Sequence, residues 1–174
     1  SNTQKRKSLE SDEVSAIIFD VANHPFFAKV LSPTQLKKDV ANDIVRQTLM
    51  LINTTDDNDF TSFRAKDIDA FVEWYNEHVD EKDIIILKSA LAFLDEKFEE
   101  KLNLKSTSLP MMLYSAYTCV KNEKDFDTFV NIVQAFVNSY GDNIDYVQYC
   151  TSGTSSAQSV QGRFNYWKNL CKGL

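Results

Sequence analysis

The sequence predicts an all-α domain. Apolar residues recur every three or four positions along most of its 174 residues, as on one face of a helix. No stretch alternates strictly enough to read as a strand. Only four Gly and three Pro are present, too few for the many turns of an all-β fold. The expected architecture is a single domain of about seven helices around a central helix near 83–104. Residues 1–8 (with Lys5, Arg6 and Lys7) are expected to form a flexible tag or linker, with Ser1-Asn2 as a tag remnant, and residues 9–174 the helical domain.

Ser11–Asn23 reads as the first helix. Ser11 is its N-cap, Asp12 and Glu13 sit in the first turn, and Val14, Ile17, Ile18 and Val21 form the stripe. His24-Pro25 ends it, because the residue before proline is pushed out of the helical region. Ser32-Pro33 opens the second, with serine as cap and proline in the first turn, and Leu36, Val40, Ile44 and Leu49 carry it to Asn53. An acidic loop, Thr54–Asp59, leads to a third helix over Ala65–Val79.

Asp83–Leu104 carries the broadest apolar face. Ile84, Leu87, Leu91, Leu94, Phe98 and Leu102 share one side, and Ile85, Ile86, Ala90, Ala92 and Phe93 extend it nearly all round in the first half. A further helix starts near Pro110 and runs to about Lys121. Asp125–Tyr140 follows, stopped by Gly141, and Ile144–Cys150 is short. The flexible TSGTSS of Thr151–Ser156 precedes the last helix, Ala157–Leu170, with Val160, Phe164, Trp167 and Leu170 inward.

Composition narrows the function. The longest apolar run, Ala90–Leu94, is far short of the ~20 residues of a membrane span. Cys119, Cys150 and Cys171 are odd in number and widely spaced, which suits a reducing cytoplasm and neither a disulfide scaffold nor a zinc site. A net charge of −6 gives no bulk attraction to nucleic acid. His24 and His78 lack partners at metal-ligand spacing. The Asp56–Asp59 loop lacks the glycine and distal glutamate of a calcium loop. No catalytic residue, cofactor or metal site is expected, and no enzymatic activity of this chain.

One segment carries a mild functional signal. Between Thr151 and Leu174 there is no acid, while Arg163, Lys168 and Lys172 are present. The serines before the last helix would offer N–H groups where a helix start favours anions. Ser155, Ser156, Arg163 and Lys168 are therefore the expected anion or DNA contacts, with binding weak against the net charge.

Four stretches, SLESDEVSAIIFDVANHPFF (8–27), SPTQLKKDVANDIVRQTLMLI (32–52), LPMMLYSAY (109–117) and TSGTSSAQSVQGRF (151–164), resemble in their order the helical region of bacterial GmrSD-type proteins. In that restriction and phage-defence family the region follows a ParB/sulfiredoxin-like N-terminal domain. The family's QRxYxW and DGQQR motifs belong to that domain and are not in this chain, nor is a C-terminal HNH motif. The resemblance implies a non-catalytic module whose partners are the parent's N-terminal domain and, weakly, DNA. The alternative is a free-standing protein-interaction adaptor with no nucleic-acid role.

Overall fold

The computed structural model describes residues 2–174. Those residues form eleven α-helices, one 3₁₀ turn and no strand. They are α1 (Asn2–Leu9), α2 (Asp12–Ala22), α3 (Phe27–Val30), α4 (Pro33–Lys37), α5 (Val40–Ile52), α6 (Ala65–Tyr75), α7 (Glu81–Lys97), α8 (Leu109–Lys121), α9 (Phe126–Ser139), α10 (Ile144–Val147) and α11 (Ala157–Leu170). The all-α class is as expected. The short α10 and three local events take the count from seven to eleven.

Asn2–Leu9 is helical, where a flexible tail is expected. Phe26 and Phe27, both buried, cap and open a one-turn helix where no helix is expected. The helix expected over 33–53 breaks at Asp39, which adopts a left-handed φ of 58°. Aspartate is among the few side chains that tolerate this conformation. α4 before the break is opened by a capping box between Ser32 and Gln35.

The centre of the domain is α8 rather than the 83–104 segment. α8 packs against α5, α7, α9 and α11. It is buried nearly all round, with Leu109, Met111, Met112, Leu113, Ala116, Tyr117 and Cys119 in the core. Ser115 fits there because its hydroxyl donates to the Met111 carbonyl. α7 instead buries Ile84, Leu87, Ala90 and Leu91 but leaves Ile85 65% and Phe93 41% exposed, so one side of its apolar half faces solvent.

α7 also ends seven residues early, at Lys97. The reason is Lys29 of α3, whose ammonium donates to the carbonyls of Asp95 (2.7 Å) and Phe98 (2.8 Å) and pairs with the Asp95 carboxylate at 2.8 Å. A cation on those otherwise unpaired carbonyls closes the helix. Beyond it, Leu102 N–H donates to Lys29 O, and Phe98, Leu102 and Leu104 remain buried without being helical. Around α8, α2 packs on α5, and α5 on α6. A C-terminal aromatic group of Phe136, Tyr140, Tyr146, Tyr166 and Trp167 encloses a polar pair, in which Tyr146 Oη meets Ser108 Oγ and accepts from Trp167 Nε1.

Candidate functional site

The expected anion-binding set is not one site. Arg163 is 2% exposed and donates to three main-chain carbonyls: Thr107 O at 3.0 Å, Tyr149 O at 2.6 Å and Thr154 O at 2.9 Å. Burial pulls its pKa below the ordinary arginine range, against the smaller opposing influence of Tyr146 and Cys150. The guanidinium clips the 107 turn, the α10 exit and the TSGTSS loop to α11. It is not available to DNA, which corrects the expectation. From sequence alone, an arginine holding carbonyls and one awaiting phosphate read alike.

Ser156 is the N-cap of α11, accepting from Ser159 N–H, so its hydroxyl is engaged. Ser155 is exposed, and its carbonyl accepts from Phe63 N–H. Lys168 is exposed, with its ammonium 4.2 Å from the centroid of the Phe164 ring.

Lys168 faces a different feature, a cleft of about 300 Å³ between the ends of α8 and α11. One wall is Tyr114, Ser115, Thr118 and Cys119, continuing to Asn122 and Lys124. The other is Lys168, Cys171, Lys172 and Leu174. Burial pushes the Cys119 thiol up, reinforced by Asp125. Burial also pushes Cys171 up, partly offset by a hydrogen bond with Ser115. Both therefore stay protonated at neutral pH and behave as small apolar groups rather than nucleophiles. Of this cleft the sequence points to Lys168 and Lys172 alone as basic groups, because Lys124 and Asn122 reach it from a loop remote in the chain.

A second feature is an ionic seam beneath α1. Arg46 of α5 and Glu10, which follows α1, are each 1% exposed and ion-paired. Arg46 also pairs with Asp43 at 2.8 Å, Asp43 with Arg6 at 3.3 Å, and Arg6 with Asp69 of α6 at 3.3 Å. Lys5–Asp69 and Lys7–Asp39 lie at its edge. Glu10's other oxygen accepts from Ser15 Oγ. Asn76 closes the corner, accepting from Ser11 N–H and donating to Leu9 O, both at 2.9 Å. The one sequence signal for this seam is Arg46 itself, a charge inside the apolar run of α5.

Elsewhere, His24 Nδ1 accepts from Phe26 N–H, and exposed His78 stacks on Trp74 at 4.1 Å. Asp59 accepts from the N–H and hydroxyl of Thr61. No group of His, Cys, Asp and Glu among the described residues is arranged to hold a metal ion. No helix among them is long and apolar enough to cross a membrane. No protein-family model matches the chain, and no curated protein or solved structure matches it either.

Proposed function

We propose that the chain is a non-catalytic helical module of a larger cytoplasmic GmrSD-like restriction or defence protein, and that it carries the parent's N-terminal domain through α1. The observation that supports this reading is the ionic seam. α1 has little apolar surface to offer, yet Arg6 is 6% exposed and the Glu10–Arg46 pair is buried against it. Buried ion pairs contribute geometry more than net stability, because desolvation offsets most of the attraction. A helix set by several such pairs has one orientation, which suits a joint that must hold a neighbouring domain in register. DNA contact, if the parent makes it, then falls to that domain more than to Ser155, Ser156 and Lys168.

The test extends the chain upstream with the residues its gene encodes and measures the tumbling of both units by NMR relaxation. The reading expects an upstream ParB/sulfiredoxin-like domain tumbling with the helices as one body, and uncoupled by Arg46→Met. No such domain, or independent tumbling, refutes it. The adaptor alternative draws on another observation: Phe19 (67% exposed) and Leu36 (37%) both line a cavity of about 370 Å³ between α2 and α4. Apolar side chains exposed together favour protein contact.

A further inference from the structure

We infer that the cleft between α8 and α11 binds a small phosphate monoester. The chain carries a net charge of −6, yet three ammonium groups, from Lys124, Lys168 and Lys172, line this one cavity and no acidic side chain does. None of the three forms an ion pair with a described residue. Asp125, whose charge acts on Cys119, is turned to α9, where it accepts from the N–H and hydroxyl of Thr128.

Lys168 and Lys172 lie at the carbonyl end of α11, which attracts cations on its own account. That explains two of the lysines. It explains neither Lys124, which comes from the opposite wall, nor the absence of Asp and Glu side chains from the lining.

The remaining lining matches the same ligand. Thr118 and Asn122 are polar, and their side chains make no hydrogen bond to the described residues. Beside them Tyr114, Leu174 and the protonated thiols of Cys119 and Cys171 give an apolar surface. Lysine binds phosphate as a point charge, so several dispersed around one headgroup suit a dianion better than a planar carboxylate. The apolar wall takes the body of the ester. At about 300 Å³ the cleft stands at the lower end of small-molecule pockets, and a duplex backbone cannot enter it. This inference is independent of the role given to α1.

Calorimetric titration with phenyl phosphate at low salt tests it, with inorganic phosphate and phenol as separate arms. Phenyl phosphate should bind more tightly than either fragment. Lys168→Met and Lys172→Met should each weaken it by roughly tenfold, while Lys82→Met, outside the cleft, leaves it unchanged. Circular dichroism checks that each variant is folded; these lysines are exposed, and methionine keeps an unbranched chain over the Phe164 ring that Lys168 covers. Absence of saturable binding at millimolar phenyl phosphate overturns the proposal. So does equal affinity for inorganic phosphate, or binding that survives both lysine changes.

Discussion

Arg46 Nε donates to Glu10 Oε1 at 2.5 Å across thirty-six residues of chain, with both side chains 1% exposed. Removing one member leaves the other charged and dry. Arg46→Met should therefore cost roughly 3–5 kcal/mol in urea unfolding. Arg46→Met/Glu10→Met should recover part of that loss, since no lone charge then remains. A double variant as unstable as the sum of the single ones would show that the pair is not coupled.

Tyr75 and Tyr117 make opposite predictions for the same substitution. The Tyr75 hydroxyl is buried with no hydrogen-bond partner among the described residues, whereas Tyr117 Oη donates to Asp83 Oδ1 at 2.5 Å. Burial foremost, then Asp83, pushes the Tyr75 phenol well above its usual range, so it stays neutral. Tyr75→Phe should be neutral or stabilising, because it removes an unsatisfied group. Tyr117→Phe should cost about 1.5 kcal/mol by leaving Asp83 without its donor. Thermal melts of the two variants decide it, and a reversed order would contradict the assigned bonding.

His24 makes stability fall in mild acid. Burial lowers its pKa, helped by Lys88 and Lys29 and opposed by Asp95. Its Nδ1 must be unprotonated to accept from Phe26 N–H. With the folded pKa below 6.5, the unfolded chain takes up the proton first. The contribution is thus complete above about pH 6.5 and is lost as pH falls through the folded pKa. His24→Asn keeps a short acceptor for the N–H two residues on but does not titrate. Urea midpoints should drop between pH 7 and 5.5 in the wild type and less in the variant; identical slopes would remove His24 from the account.

Gly162 sits inside α11, where alanine should gain up to about 1 kcal/mol by helix propensity. A methyl there would come within 2.5–2.6 Å of the Tyr149 ring, whose carbonyl holds Arg163. Gly162→Ala should instead destabilise by roughly 1–3 kcal/mol, as overpacking does. A rise in Tm would mean that Tyr149 moves away at no cost.

Where structure follows from neighbours in the chain, the sequence shows it. Ser11 caps α2, α9 fills Phe126–Ser139 of the expected Asp125–Tyr140, and α11 spans Ala157–Leu170 as its stripe predicts. Where a distant side chain decides, the sequence is silent. Phe98–Leu104 keeps a helical apolar spacing, yet Lys29 ends α7 before it. The break at Asp39 carries no glycine to betray it. α8 is the more apolar, with nine apolar residues in 13 against nine in 17 for α7, but its packing on four helices is what makes it the centre. Arg163 carries the charge a phosphate site needs, but its role is fixed by carbonyls 56, 14 and 9 residues away.

Hydrogen exchange of the α1 amides tests most directly whether that helix is built into the domain. α1 packs on α6 and is tied to it through Arg6 and Asp69. Its hydrogen-bonded amides should open together with those of α6, and Arg46→Met should release α1 first while α8 stays protected. Exchange of α1 at the rate of an unstructured peptide in the wild type, with α6 still protected, would contradict the account and return residues 1–8 to the status of a tail.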